Sequence, residues 1–267
     1  LPAGSPLVRR GFDWAGSLTA AIAAAALLCL FSGVGAPRSA AVLTVLATVA
    51  LVIVERRAAA PIFPPALLAI PAVRQALLSR FTMSFTYMGS FMILPYLLAT
   101  VWKQSPSQVA LALAVRPFSM GVAGGLAGGL SRRFGTAALT IAGGWMILLA
   151  CFAFAGLTAA HSGLDQLLLA LGLALAGFGL GVGSPGAVAA VSARVDTSQL
   201  GTVSGLMTLT ATLANALGMA GMFALVELGG GVQRAEAYQL SNLGGAVMAA
   251  LALYAGYAMR RHEAAER

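Results

Sequence analysis

Arg116 has the strongest claim to chemistry in this sequence, because the run around it, PSQVALALAVRPFSMGVAGGLAGGLSRRFG (106–135), is apolar enough to cross a bilayer. The arginine lies about ten residues into that run, roughly 15 Å along a helix and so near the membrane midplane. An arginine at that depth costs about 3 kcal/mol on insertion scales and more than ~10 kcal/mol in simulations, so it is expected to face protein or water. Two uses fit it. It contacts an anionic group or a carboxylate in a path through the membrane, or it caps carbonyls freed by Pro117, which removes one backbone donor. No acidic residue offers itself as an ionic partner at mid-depth. Asp13 is juxtamembrane, Asp165 and Glu227 are expected at loop or span ends, and Glu55, Asp196, Glu236, Glu263 and Glu266 fall in loops or the tail.

Other residues are spaced for recognition rather than reaction. The stretch RFTMSFTYMGSFMILPYLLATVW sets Ser84, Tyr87, Ser90 and Phe91 among apolar neighbours, and Pro95 can kink it. Aromatic rings with hydroxyls suit an amphipathic organic ligand; interfacial Tyr96 and Trp102 with helix-packing hydroxyls would read the same way. Asn215, with Thr208, Thr210 and Thr212, gives a later run a polar side suited to hydrogen bonds between helices. Two glycine ridges come after Pro117, Gly121/Gly125/Gly129 and Gly124/Gly128, each at i, i+4, the usual close-packing surface in lipid, static or sliding. The segment Gly181-Val182-Gly183-Ser184-Pro185-Gly186 matches GxGxxG, but it is preceded by no strand, so a dinucleotide site is excluded and a broken helix beside a cavity fits better.

The elements that must carry these residues are membrane helices. The sequence is 59% hydrophobic and 9% charged with 32 glycines, far from the roughly 25% charge of soluble domains. Its net charge of +8 comes from basic residues scattered between apolar runs, with no basic face, so nucleic acid is not an expected partner. Cys29 and Cys151 sit inside apolar runs, and His161 and His262 stand alone, so neither a metal site nor a cofactor is expected. No Ser/His/Asp grouping, HExxH or paired carboxylates point to an enzyme. Eight runs approach the length of a bilayer crossing: 14–34, 39–54, 76–101, 106–130, 136–157, 164–190, 200–226 and 238–259. The expected fold is all-α, a polytopic membrane protein of about eight helices, since each segment must satisfy its own backbone in hydrocarbon.

Connections on one side hold Arg9, Arg10, Arg56, Arg57, Arg74, Arg80, Arg132, Arg133, Arg194, Arg260, Arg261 and Arg267; those on the other hold only Arg38, Lys103 and Arg234. The basic-rich side is expected to be cytoplasmic, with both ends of the chain on it. Pro61, Pro64, Pro65 and Pro71 interrupt the longest connection. The expected organisation is a lead-in (1–13), two linking helices (14–57), a Pro-rich connection (58–75), a six-helix domain (76–259) and a tail (260–267). Ser107-Gln108-Val109-Ala110 opens the fourth run and Ser198-Gln199-Leu200-Gly201 the seventh, the middle members of two triplets of opposite orientation. That is the pattern of a 3+3 inverted repeat. The start, which is not Met and has no apolar signal core in 1–11, is read as the cut end of something longer.

Four stretches resemble the fourteen-helix drug:proton antiporter branch of the major facilitator superfamily. Phe12-Asp13-Trp14-Ala15-Gly16 is similar to its FDWxG entry. Leu94-Pro95-Tyr96-Leu97 through Ser105-Pro106-Ser107-Gln108-Val109-Ala110 is similar to PxYLQ…GxSPxxAG. Gly128-Gly129-Leu130-Ser131-Arg132-Arg133-Phe134-Gly135 resembles the GxLaDRxG cytoplasmic loop. Gly201-Thr202-Val203-Ser204-Gly205-Leu206-Met207, continued by Ala216-Leu217-Gly218-Met219-Ala220, resembles GxxSGLxN…GGALGxA. The likeness implies two central linking helices plus the second six-helix half of a carrier, without its first six helices and their proton-coupling carboxylates. It departs from the pattern at Arg132, where Asp is expected, at Thr136 and Ala137 in place of basic residues, and at Ala211-Thr212 in place of Arg-Gln. An apolar residue usually stands where Arg116 does, which implies a subgroup with different substrates.

The expected protein is an inner-membrane permease of a bacterium, its partners the lipid bilayer, a small-molecule substrate and protons, its oligomeric state open. Efflux of drugs or other small amphipathic compounds by alternating access is the leading reading. A stand-alone or truncated protein with a structural or partner-binding role, and a carrier for an anionic nutrient, are the alternatives. The residues expected to matter are Arg116, Tyr87, Ser84, Ser90, Phe91 and Asn215 in the substrate path. Pro117, Gly121, Gly124, Gly125, Gly128, Gly129, Gly181, Gly183 and Pro185 are expected at packing and hinge positions, and Gly128, Arg132, Arg133 and Gly135 in the loop.

Overall fold

The computed structural model of the chain describes residues 14–32, 37–57, 65–192, 195–196 and 199–265. Two compact units divide at Leu68 and Ala69. In the first, α1 (Trp14–Ser32) and α2 (Pro37–Arg57) pack through Ala23, Ala26 and Ala47, whose small side chains let the backbones come close. The uninterrupted apolar part of α2, Val42–Val54, is shorter than a full crossing. Of the expected features, the FDWxG residues Phe12 and Asp13, the basic residues Arg9, Arg10, Arg194 and Arg267, and Ser198 lie outside the described residues.

A short helix, α3 (Pro65–Ala69), precedes the second unit, which is built from α4 (Pro71–Tyr96, extended by a π-helical turn over Leu97–Val101), α5 (Pro106–Phe134), α6 (Thr136–Ala155), α7 (Gly163–Ser192), α8 (Leu200–Leu228) and α9 (Ala235–Ala265). All six are long and apolar enough to cross a membrane. Their starts come from local chemistry. Pro71 takes the first position of α4, where its missing N–H is no loss, so the helix begins five residues earlier than the prolines suggested. Ser105-Pro106-Ser107-Gln108 forms a capping box: the Ser105 hydroxyl accepts from the Gln108 amide and Gln108 Oε1 accepts from the Ser105 amide at 2.9 Å. Asp165, buried in the first turn of α7, accepts from the amides of Thr158 and Ser162, each at 2.7 Å, and from both their hydroxyls. This carboxylate closes the loop before α7.

Packing among the six helices has a two-fold pattern. The first helix of each triplet crosses to the middle helix of the other, α4 onto α8 and α7 onto α5, while α6 packs on α7 and α9 on α4. Exchanging α4–α6 with α7–α9 maps these contacts onto themselves, as an inverted repeat requires. The middle helices are the open ones. In α5 and α8 only 22% and 28% of the apolar window is buried, against 50–56% in the other four.

The crossings are made by glycines, but not by those of α5. A Cβ on Gly218 would sit 2.1 Å from the Phe85 carbonyl oxygen, and one on Gly177 would sit 2.3 Å from that of Arg116. At Gly121, Gly124, Gly125, Gly128 and Gly129 a Cβ would meet nothing within 4 Å. The expected packing ridge of α5 therefore meets no side chain of the second unit, its nearest approach being the Gly124 amide beside Gly181 of α7, and α5 buries Arg116, Ser119, Ala123 and Ala127 instead. Helix α7 likewise runs unbroken through Gly181, Gly183 and Pro185, where a break was expected. The basic turn after Leu130 is helical up to Phe134; only Gly135, at φ +86°, turns the chain into α6.

Candidate functional site

Two cavities lie along the α5–α7 crossing, on either side of its tightest point. One, of about 430 Å³, is bounded by α4, α5, α7 and α8 and lined by Arg80, Ser84, Tyr87, Ser184 and Asn215 with Met88, Met120, Leu180 and Gly181. The other, of about 330 Å³, lies towards the start of both α5 and α7 and is lined by Gln104, Gln108, Gln166, Trp102 and His161. Along α5 the linings are Ala112 and Val115 on one side, Met120 and Gly124 on the other; along α7 they are Leu169 and Leu173, then Leu180 and Gly181. Between them α7 presses onto α5 at Gly177, where a Cβ would be 2.0 Å from Ser119 Oγ and 2.3 Å from the Arg116 carbonyl oxygen.

Arg116 occupies that divide and is fully buried. It does not cap its own helix around Pro117. Its Nη2 reaches α4, donating to the Tyr87 carbonyl oxygen at 2.7 Å and to Ser90 Oγ at 3.0 Å. Its guanidinium carbon lies 3.9 Å from the centroid of the Tyr87 ring and 5.5 Å from that of Phe91. A cation over a desolvated aromatic face gains about 2 kcal/mol, which offsets part of the burial cost. Ser90 is held by its own bond to the Thr86 carbonyl oxygen at 2.8 Å. Arg116 Nε and Nη1 are buried with no hydrogen-bond partner among the described residues.

The six expected path residues thus separate into two groups. Ser84, Tyr87 and Asn215 line the larger cavity, whereas Arg116, Ser90 and Phe91 form a layer joined to it through Tyr87. Thr208 and Thr212 bond back to their own helix, to the carbonyl oxygens of Ser204 and Thr208, rather than across to neighbours. Trp102 is buried: it donates from Nε1 to the Thr158 carbonyl oxygen at 2.7 Å and stacks on His161 at 4.4 Å.

Sequence reasoning misses Arg80 as a site residue, because it counts Arg80 with the cytoplasmic connections. The side chain belongs to α4, reaches α7 by a hydrogen bond from Nη1 to Ser184 Oγ, and leaves Nε buried without a partner among the described residues. The signal is present in the sequence, since Arg80 already falls within the run assigned to the third crossing.

Comparison with known families adds one decisive finding: the family model described as Major Facilitator Superfamily matches residues 76–267. The chain belongs to this superfamily. Comparison with curated proteins gives no match. Family membership and six bilayer-length apolar helices together make the chain a multi-pass membrane transporter. In this superfamily member the matched region contains both cavities, Arg80, Arg116 and the two-fold helix pattern.

Proposed function

We propose that the chain is the C-terminal portion of a bacterial inner-membrane efflux carrier of the fourteen-helix drug:proton antiporter branch, exporting small amphipathic organic compounds by alternating access. The observation that carries this reading is the pair of cavities divided by the Arg116–Gly177 crossing. A carrier needs a ligand-sized space on each side of a barrier that moves, and binding spaces of this size hold small organic molecules. The larger cavity mixes hydroxyls, an amide and an aromatic ring with methionine side chains, which suits compounds having one polar end.

Rocking of this bundle against a second six-helix half fits the open face of α5, where Gly121, Gly125 and Gly129 alternate with exposed Phe118, Val122 and Leu126 and leave room for close helix contact. The basic residues near one set of helix ends favour the cytoplasm for that side. No carboxylate lines either cavity among the described residues, so proton coupling is assigned to carboxylates on the partner half.

Expression of the complete gene in an efflux-deficient bacterium, screened against toxic amphipathic compounds, tests the reading. Raised tolerance that collapses when the proton gradient is dissipated supports it. Unchanged tolerance to the whole panel, with the protein present in the membrane, overturns it. Arg116→Ala is expected to lower transport more than membrane abundance; equal loss of both would make the arginine structural.

A further inference from the structure

We infer that the larger cavity is an anion site, with Arg80 as the residue that contacts the charged end of an amphipathic monoanion. The inference rests on the reading that this cavity is part of the substrate path, and it names the substrate class. Three observations carry it. First, the Arg80 guanidinium is incompletely bonded. Its partner on α7 is the neutral hydroxyl of Ser184, and its Nε is buried and unpartnered among the described residues, beside the cavity it lines. A guanidinium presents a planar fork that matches a carboxylate or phosphate, so an anion can take the donors that Ser184 leaves.

Second, a further positive charge stands directly behind the wall. Tyr87 lines the cavity on one side and lies under the Arg116 guanidinium on the other, at 3.9 Å from ring centroid to guanidinium carbon. Third, no carboxylate among the described residues lines the cavity. Asp165 closes the loop before α7, and Glu227 and Glu236 are exposed near the ends of α8 and α9. Two guanidinium groups with no counter-charge on the cavity wall, in low-dielectric surroundings, focus a positive potential into the space. A cation entering it meets repulsion, whereas an anion supplies the missing charge.

Ser84 and Asn215 supply neutral donors beside Arg80, and Met88, Met120 and Leu180 supply an apolar surface for the rest of the molecule. The charged end can belong to a soluble organic carboxylate or to an anionic lipid headgroup. The chemistry is shared, and the source is decided by experiment.

The test is isothermal titration of 1-naphthoate and of 1-naphthylmethylammonium, one ring with opposite charges, into the purified full chain in phosphatidylcholine nanodiscs. Naphthoate is expected to bind at least tenfold more tightly than the ammonium. Arg80→Gln is expected to weaken naphthoate tenfold or more without weakening the ammonium, and Arg80→Lys to keep part of the affinity. Asn215→Asp, which puts a carboxylate on the wall at nearly constant volume, is expected to weaken naphthoate and strengthen the ammonium. It serves as the second readout if Arg80→Gln fails to fold. Discs containing phosphatidylglycerol separate the sources: a raised apparent Kd for naphthoate means the lipid headgroup competes for the site, and an unchanged Kd means a soluble anion is the ligand. Equal or tighter binding of the ammonium, unchanged naphthoate affinity in folded Arg80→Gln, or no naphthoate binding at millimolar concentration to a folded chain would each overturn the inference. Binding of naphthoate without efflux in cells would sink the carrier reading alone. Efflux of cations without naphthoate binding would sink the anion site alone.

Discussion

Replacing Gly218 by alanine would place a methyl carbon 2.1 Å from the carbonyl oxygen of Phe85 and 2.8 and 2.9 Å from its carbonyl carbon and Cα. Non-bonded heavy atoms rest near 3.5 Å, so α4 and α8 would have to part by about 1 Å at this crossing. The neighbouring position gives no relief, since a Cβ on Gly89 would itself be 2.6 Å from the Gly218 carbonyl oxygen and 2.4 Å from Met222 Cγ. The atoms met first are backbone, which cannot rotate away as a side-chain tip can. Parting the helices also loosens fully buried Met222 from Ile93, Leu94 and Leu98 in the main apolar cluster. Overpacking of this kind costs about 1–3 kcal/mol, and backbone collision argues for the upper part of that range. For a unit of this size about 2–4 °C of midpoint accompanies each kcal/mol, so a fall of about 4–12 °C is expected for Gly218→Ala. The assay is thermal unfolding of the purified chain in detergent, monitored by helical circular dichroism. Gly125→Ala is the control: it meets nothing within 4 Å and gains helix propensity worth up to ~1 kcal/mol, so its midpoint should hold or rise. Equal shifts in the two variants, or a larger loss in Gly125→Ala, would refute the assignment of the α4–α8 crossing to Gly218 and of the α5 ridge to open space.

The same geometry sets two further expected outcomes. Arg116→Met replaces a buried cation that has no acidic partner among the described residues by an apolar chain of similar length, a change that is often neutral or stabilising. The unfolding midpoint is therefore expected to hold or rise while transport by the complete carrier falls; a loss of midpoint of more than ~5 °C with unchanged transport would reverse that assignment. Asp165→Ala strips acceptors from the amides of Thr158 and Ser162 and is expected to cost about 1–3 kcal/mol by thermal unfolding with little effect on transport. Full transport loss at an unchanged midpoint would count against a purely loop-closing role for this carboxylate.

Much of the helix layout is legible in the sequence because bilayer length and backbone satisfaction leave few choices for an apolar run. The runs at 106–130 and 200–226 are α5 and α8 with the same first residues, Pro106 and Leu200. Treating Pro71 as a breaker misplaces the start of α4, because this proline occupies a first turn. Facing is much harder to read. In lipid both sides of a helix are apolar, so the contrast between core and surface that orients a soluble helix is weak. Gly121 and Gly125 have the spacing of a packing ridge and Gly177 and Gly181 have it too, yet only the second pair presses on a neighbouring helix. Nothing in spacing alone separates them. Arg116 stands out by depth, but its partners on α4, the Tyr87 carbonyl and ring, are tertiary contacts that no local pattern encodes. Arg80 is hidden by the opposite habit, that of assigning an arginine near a span end to the loop.

If substrate resides in the cavity bounded by α4, α5, α7 and α8, cysteine reactivity there must respond to it. In the complete carrier with Cys29 and Cys151 replaced by alanine, Ser84→Cys and Asn215→Cys would each be exposed to a membrane-impermeant thiol reagent from the Arg132 side, with Arg132→Cys as the exposed reference. Both cavity cysteines are expected to react, and a compound to which the carrier confers tolerance is expected to slow them at least fivefold while leaving the reference unchanged. Reaction at Arg132→Cys with none at Ser84→Cys or Asn215→Cys, or reaction there that no transported compound slows, would contradict a substrate site in this cavity.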